Sequence, residues 1–575
     1  MRSYRPAYHA SVLSGWSNDP NGTIYYNGKT HLFFQHYPYK PEWGTMHWGH
    51  FVTDDFIKWE ELPLVLEPDQ DYEAICGCCS GSTIEKDGDL WLMYTAAQPE
   101  RQRQCMAISK DGGIHFEKNP DNPILTSGML DLEVTETDCR DPRMFRKGDY
   151  YYFVAGARVL TKEELAAKKA AGSKGTAGTG GRTGDARTSG AGAVSAAGGT
   201  GAESSSPATT ASVSYEGGAQ VHAPSSERTA PATGTEMEVR APSAGPASGA
   251  EEEEKAGYGN LILCRSKDLL HWEYVGHLLD RDTEGQIPLD EEHFRLNGVY
   301  ECPDYIVLDG KEIVLSSPQN LPQIGKAYQN VHSGIYMFGE LSFESGRFRV
   351  DEIGEVDNGF DFYAVQTLRM PDGRVILIAW KEMWDRNFPT REEGWAGTYT
   401  LPREMSVVDG RLVQKPVREI EKYRSGKVAA ACLQADDTSL SVGGVCGNTI
   451  EIQVTLEPGT AARSGLKLFC GSEHETLVYY DRAEGDIVFD RSRSGIPFTG
   501  QEEDVDHRVC HIGAMDSIDL HFFLDVSSIE VFIDGGHHVM TGNVYPDIGQ
   551  DTGVSFFAEG GSCTFRSLVK YDIIV

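Results

Sequence analysis

Asp55-Phe56-Ile57-Lys58-Trp59-Glu60 recurs as Asp111-Gly112-Gly113-Ile114-His115-Phe116-Glu117 and again as Asp268-Leu269-Leu270-His271-Trp272-Glu273. Each copy sets an aspartate just before an aromatic-glutamate pair. Around the copies lie short aromatic and aliphatic runs: Thr23 to Tyr26, His31 to His36, Leu90 to Thr95, Tyr150 to Gly156, Asn260 to Arg265 and Val375 to Trp380. Runs of this length, parted by turn pairs such as Asn27-Gly28 and Asp87-Gly88, read as strands joined by tight hairpins. The aromatic positions of the repeat are 57 and then 156 residues apart. Between the second and third copies runs Thr161 to Ala256, 96 residues of mainly Gly, Ala, Ser and Thr, and without them the second interval falls to 60. A period near 60 with several short strands per unit is what a bladed propeller requires, and residues 1–420 less this insert leave room for about five blades.

Segment 161–256 has Tyr215 as its only aromatic. It has too little apolar side chain to offset its ordering entropy, and is expected to be a low-complexity, disordered excursion from a hairpin inside the third blade. Its first residues, Thr161 to Lys169, can form two helical turns, with Thr161 as cap and Glu164 closing a capping box. Beyond about residue 425 the texture changes: all nine Trp lie at or before Trp395. Apolar and polar residues alternate in Thr449 to Leu456, Leu466 to Cys470, Leu520 to Leu524 and Ser528 to Ile533, the pattern of an antiparallel sandwich. The expected fold is therefore all-β: a five-bladed β-propeller over 1–420, interrupted by 161–256, followed by a C-terminal β-sandwich over 425–575.

The charge narrows the class of partner. Eighty-six acidic against 52 basic residues give a net charge of −34, which repels nucleic acid and anionic membrane from most of the surface. Met1 to Trp16 lacks the apolar core of a secretory signal, and no 18-residue apolar run occurs, so a cytoplasmic protein away from the membrane is expected. The 12 cysteines are scattered. Cys76, Cys78 and Cys79 form the only tight group, and buried strand cysteines account for it better than a metal site. No metal or cofactor is expected.

Propellers gather functional groups where their inner strands converge, so acidic residues flanked by Gly, Pro and aromatics near strand ends carry the most weight. Three such segments stand out: Trp16-Ser17-Asn18-Asp19-Pro20-Asn21-Gly22, Cys139-Arg140-Asp141-Pro142 and Tyr300-Glu301-Cys302-Pro303-Asp304. An isolated Asp-Pro is as readily a turn or an Asx cap. Three acids in three separate blades, each close to aromatics, point instead to chemistry.

These segments, with Phe33-Phe34-Gln35, Met46-His47-Trp48-Gly49-His50, Ser80-Gly81-Ser82, Asp361-Phe362-Tyr363-Ala364, Thr400-Leu401-Pro402-Arg403-Glu404 and Ser527-Ser528-Ile529-Glu530-Val531-Phe532, make the chain resemble glycoside hydrolase family 32, the invertase and fructan-hydrolase group. Within that family it is most similar to the bacterial sucrose-6-phosphate hydrolases. The motifs span nearly the whole chain outside the insert. The resemblance implies a retaining β-fructofuranosidase acting on sucrose 6-phosphate, sucrose or both. An exo-acting fructan (inulin or levan) hydrolase and a fructosyltransferase stand as the alternative, and a non-catalytic carbohydrate-binding protein as the less favoured reading.

By the same resemblance Asp19 matches the nucleophile, Glu301 the general acid/base, and Asp141 the carboxylate that bonds sugar hydroxyls and supports the transition state. A retaining glycosidase needs one carboxylate to attack and one carboxyl to donate, and a negative Asp19 nearby would favour the protonated form of Glu301. Asn18, Gln35, Ser80 and Arg140 match residues that bind the fructosyl unit, and Trp43, Trp48 and Trp380 resemble aromatics around the pocket. Ser17 and Cys79 depart from the family pattern, where larger side chains are usual, and this bears on pocket shape. The expected partner is a small-molecule fructoside, bound by a monomer or homodimer.

Overall fold

The computed structural model of the chain describes residues 3–130, 133–175, 257–279, 298–501 and 504–575. Apart from the helix Lys162–Gly175 and short 3-10 turns, the regular structure of the described residues is β-strand. Five antiparallel sheets come first, led by the strands Gly15–Tyr26, Gly77–Lys86, Val134–Lys147, Tyr300–Leu308 and Tyr363–Arg369. Each leading strand begins a run of four hydrogen-bonded strands. The first sheet gains a fifth from far along the chain, where Trp395–Ala396 pairs in parallel with Gly15 and Trp16.

Local chemistry accounts for the hairpins. Asn27-Gly28, Asp87-Gly88, Asp309-Gly310 and Asp409-Gly410 each place two successive residues at positive φ, the conformation of the two-residue turn whose twist matches paired strands. The repeated aspartates lie in the connections between the third and fourth strands of three sheets. Asp55 Oδ1 accepts from the Ile57 and Lys58 N–H groups, Asp268 Oδ1 from Leu270 and His271, and Asp111 Oδ1 from Ile114 and His115. Trp59 and Trp272 each close their loop by donating the indole N–H to the carbonyl three residues back. The repeat is thus an Asx-turn corner.

Cores fill the gaps between successive sheets. Phe33, Trp48, Leu92 and Tyr94 pack between the first and second, and Met93, Met106, Phe153 and Ile262 between the second and third. Leu261, Leu263, Val314 and Met337 fill the next gap, and Leu315, Phe338, Leu377 and Met405 the one after. Leu32, Phe34, Ile376 and Ile378 join the fifth sheet to the first. The leading strands lie against one another in the same order, and the fifth lies against the first. Gly156 permits one close approach, since a Cβ there would stand 2.1 Å from the Tyr300 carbonyl oxygen.

Strand Tyr150–Val159 pairs with Tyr258–Ser266 through to Val159 and Tyr258, so residues 160–257 leave from the tip of one hairpin of the third sheet. The capping box read at Thr161 is present: Glu164 N–H donates to Thr161 Oγ1 at 3.2 Å and Thr161 N–H to Glu164 Oε2 at 2.8 Å. The expectation of disorder over the rest of the insert falls on 176–256, outside the described residues.

From Arg424 onward two six-stranded sheets enclose a core of Ile452, Leu466, Phe489, Phe522, Val531, Phe556 and Phe565. They are tied to the preceding sheets by a buried polar cluster. His9 bonds Asp525 and Glu530 at 2.7 and 2.9 Å, and Arg403 donates to Glu530 at 2.7 Å. No helix among the described residues is long and apolar enough to cross a membrane.

Candidate active site

Every leading strand slips register within or beside a quoted motif: between Ser17 and Pro20, Cys79 and Gly81, Arg140 and Arg143, Glu301 and Asp304, and Tyr363 and Gln366. Glu301 stands second in its strand, near the end as expected, while Asp19 and Asp141 lie further in. The slips are bulges, which re-aim side chains without ending the sheet. Asp141, Cys302 and Ala364 sit in three of them at φ of 61°, 45° and 56°, a conformation that costs a non-glycine residue about 1–3 kcal/mol unless its surroundings hold it. The surroundings do. Each N–H freed from the ladder is taken by a side chain of the preceding sheet: Asp141 N–H donates to Thr95 Oγ1 at 3.0 Å, Cys302 N–H to Asp141 Oδ2 at 3.0 Å, and Ala364 N–H to Ser317 Oγ at 2.9 Å.

Four donors converge on the buried carboxylate of Asp19. Asn18 Nδ2 reaches Oδ1 at 3.0 Å, while Ser80 Oγ, Gln35 Nε2 and the Cys302 thiol reach Oδ2 at 2.6, 3.0 and 3.5 Å. Asn18 is itself oriented by the Trp16 indole N–H, 2.9 Å from its Oδ1. Asn21, with its amide turned to suit its neighbours, donates to Ser80 Oγ at 3.2 Å and accepts from Gln35 N–H at 3.1 Å. Burial, and next the charge of Glu301, raises the Asp19 carboxyl, while Ser80, Asn18 and Cys302 pull it back down.

Glu301 faces different partners. Arg140 donates to its Oε1 from Nε at 3.1 Å and from Nη2 at 2.9 Å, and Tyr363 OH lies 2.6 Å from Oε2. Asp141, beside both other acids, is pushed up to about 7, first by burial and then by the charge of Glu301, against the opposing field of Arg140. Burial and the charges of their neighbours thus raise the carboxyls of both Asp19 and Asp141. Three acids from three sheets meet in one cluster, threaded by Arg140 and Cys302.

Of the tryptophans, Trp48 and Trp380 are wholly buried. Trp48 packs in the core between the first two sheets and donates its indole N–H to the Cys79 carbonyl at 3.1 Å. Trp380 packs against Trp16 and Trp384. Trp43 is partly exposed at the edge of the same aromatic cluster. Sequence reasoning gave no role to Cys302, Tyr363 or Asn21, although all three lie within motifs it singled out. Two cavities elsewhere, of about 520 Å³ between Gln414–Arg424 and the C-terminal sheets and about 430 Å³ beside Glu355 and His511, contain none of these groups. Among the described residues no group of three or more His, Cys, Asp or Glu is placed to hold a metal ion.

Residues 9–167 and 248–416 match the glycosyl hydrolases family 32 N-terminal domain, and residues 419–572 match the glycosyl hydrolases family 32 C terminal. A sucrose-6-phosphate hydrolase of Zymomonas mobilis is 30% identical, over 99% of this chain and 92% of that protein. Among solved structures, a GH32 beta-fructofuranosidase of Bombyx mori is 27% identical at a TM-score of 0.68, covering 99% of this chain and 94% of that one. A sucrose-6-phosphate hydrolase from Lactobacillus gasseri, 23% identical, aligns at a TM-score of 0.71 over 99% and 93% of the two chains and speaks to the fold alone.

Proposed function

The chain belongs to glycoside hydrolase family 32, and from that premise we propose that it releases the terminal fructosyl unit of sucrose 6-phosphate, sucrose or both, with retention, through a covalent fructosyl-enzyme intermediate. It is a glycoside hydrolase, an exo-acting fructofuranosidase working on fructosyl-containing sugars. The five sheets are read as the blades of a propeller and the last two as a sandwich; the contact of the fifth leading strand with the first supports this.

In this reading Asp19 attacks the anomeric carbon. A nucleophile must be ionised, and four donors around its two oxygens favour the charge despite burial. Glu301 gives a proton to the departing oxygen and later takes one from water. The observation that carries the assignment is the position of Tyr363 OH, 2.6 Å from Glu301 Oε2 and 2.9 Å from the Ser317 carbonyl oxygen. The phenol has one proton. Given to Glu301 it stabilises the carboxylate that takes a proton from water, and turned to the Ser317 carbonyl oxygen it leaves the phenol oxygen free to accept from the protonated carboxyl, so the contact suits both states a general acid/base passes through. Asp141, raised to about 7 by burial and the charge of Glu301, takes the part of bonding sugar hydroxyls and, in its ionised form, of meeting the positive charge that develops on the ring.

Preference for the phosphorylated disaccharide draws support from the Zymomonas mobilis relative. A pocket that desolvates a phosphate gains about 1.5–3 kcal/mol from each charge-assisted hydrogen bond. Two such bonds correspond to roughly two to four decades in kcat/KM for sucrose 6-phosphate over sucrose. Measuring kcat/KM for both sugars, with product analysis on inulin, tests this; equal constants would move the reading to a plain invertase or fructanase.

A further inference from the structure

Behind Glu301 a continuous series of polar contacts leads out of the site to the hairpin tip from which residues 176–256 depart. Arg140 turns its remaining terminal nitrogen, Nη1, to Asp138 Oδ1 at 2.9 Å. Asp138 accepts on its other oxygen from Arg158 Nε at 3.4 Å and from Thr137 Oγ1 at 3.3 Å. Arg158 donates from Nη1 to the Gly257 carbonyl at 3.1 Å, and the Gly257 N–H donates to Glu164 Oε1 at 2.9 Å, the same glutamate that closes the capping box at Thr161. The side chains of Asp138 and Arg158 are only 5% and 6% exposed. Two buried charges carry a desolvation cost that apolar residues would avoid, and the strands here are already held by the ladder pairs Gly156 with Arg140 and Ala157 with Cys139.

We propose that Asp138 and Arg158 are positioning residues for the acid/base carboxyl, holding Arg140 so that its guanidinium meets Glu301 and setting how strongly its charge bears there. The proposal rests on the reading of Glu301 as acid/base. Facing Glu301 are Arg140, the Tyr363 hydroxyl, the charges of Asp19 and Asp141, and the Cys302 thiol. Arg140 is the one cation of this group, and it divides its donors between Glu301 and Asp138, with Gln319 Oε1 at 3.5 Å from Nη2.

Asp138→Asn removes the negative charge on the far side of Arg140, so the cation acts more fully on Glu301 and favours its ionised form. Glu301 then loses its proton at lower pH, and the alkaline limb of kcat/KM moves down. Arg158→Met removes the cation that neutralises Asp138. Asp138 then competes harder for Arg140, and the limb moves up.

The experiment measures pH profiles of kcat/KM for the full chain with sucrose and with an aryl β-fructofuranoside whose phenolate leaves without a proton. The expected result is limb movement in opposite directions by about half a pH unit. On sucrose a loss of about tenfold should accompany it, against less than about threefold on the aryl fructoside, with Arg158→Lys restoring the parent profile. Limbs that stay put, limbs that move the same way, or equal losses on both substrates overturn the proposal. If Arg158→Met does not fold, the downward movement in Asp138→Asn decides alone. Glu301→Ala, measured alongside, separates the two levels. If it loses both substrates equally, the acid/base reading itself is wrong; if it spares the aryl fructoside while the limb stays fixed in the other variants, only the positioning role falls.

Discussion

The backbone N–H of Cys302 donates to Asp141 Oδ2 at 3.0 Å, across the junction between the third and fourth sheets, because a bulge frees that N–H from its own strand. The same residue turns its thiol to Asp19 Oδ2 at 3.5 Å. One residue thus spans two of the three acids, its backbone fixing one and its side chain the other.

The two functions of Cys302 can be separated. Cys302→Ala keeps the backbone bond and removes the thiol, one of the groups that hold the Asp19 carboxyl down. Asp19 should then ionise at higher pH, moving the acid limb of kcat/KM upward, with a loss of about two- to tenfold near the optimum. Cys302→Ser, which retains a donor, should recover most of it. Superimposable acid limbs for the parent and alanine enzymes would remove the thiol from the account of Asp19.

Asp141 carries a stability cost. Its carboxyl rises from an ordinary 3.8 to about 7 in the folded chain, so folding is favoured by the held proton. That contribution is complete below about pH 3.8 and is lost as pH rises through 7. Asp141→Asn is neutral throughout. Its gain in stability over the parent should be near zero at pH 4 and reach about 1–3 kcal/mol by pH 8, while kcat falls by roughly 100-fold or more. Thermal melts across pH 4–8 check the first claim and steady-state rates the second.

Glu530 titrates in the opposite sense. Burial alone would raise its carboxyl, but Arg403 and His9 outweigh that and hold it at about 2. Its contribution is therefore present above an ordinary 4.5 and is lost as pH falls from there toward 2. Glu530→Gln should cost about 1–3 kcal/mol at pH 7, since Arg403 keeps Asp357 at 2.9 Å and His9 keeps Asp525 at 2.7 Å, and the decline of its Tm from pH 5 to pH 3 should be shallower than that of the parent. Parallel curves would place the acid sensitivity elsewhere.

Residues 176–256 should be dispensable for hydrolysis. The strands on either side pair through Val159 and Tyr258, and Glu164 ties Thr161 to Gly257 without them. Loop-closure entropy also changes only logarithmically with length. Replacing 176–256 with a short Gly-Ser turn should keep kcat/KM within about threefold. A loss of soluble protein, or a fall beyond roughly 100-fold, would mean that the segment contributes to the fold or the site.

How legible this molecule is from sequence depends on whether a feature is local. The Asp-to-aromatic repeat could be read because the aspartate bonds N–H groups two to four residues ahead, and the turn pairs Asn27-Gly28 and Asp87-Gly88 because their φ demands are met by neighbours in the chain. The motif acids could be found by residue type. What the sequence did not disclose is which group touches which acid. Cys302 reaches Asp141 across 161 residues and Tyr363 reaches Glu301 across 62, and both contacts exist only because bulges in separate strands turn inward together. Nor does the sequence disclose that Trp48 packs in the core between the first two sheets. Glu530, quoted above only as part of a motif, clamps the C-terminal sheets to Arg403 and His9.

The roles of Asp19 and Glu301 can be told apart by the products of damaged enzymes. Asp19→Ala removes the attacking oxygen, so turnover should fall by more than about 10⁴-fold whatever the leaving group. Glu301→Ala should be as poor on sucrose, whose alkoxide needs a proton to depart, yet should still form the covalent intermediate from an aryl fructoside. Breakdown then lacks a general base and becomes slow. Azide needs no base; entering from the face that water used, it should release a β-fructosyl azide, the product of two inversions. No such retained product should come from Asp19→Ala, where no intermediate can form. The telling measurement is the anomeric configuration of the azide adduct by NMR: retained azide from Asp19→Ala and none from Glu301→Ala would mean that the two carboxyls carry each other's roles.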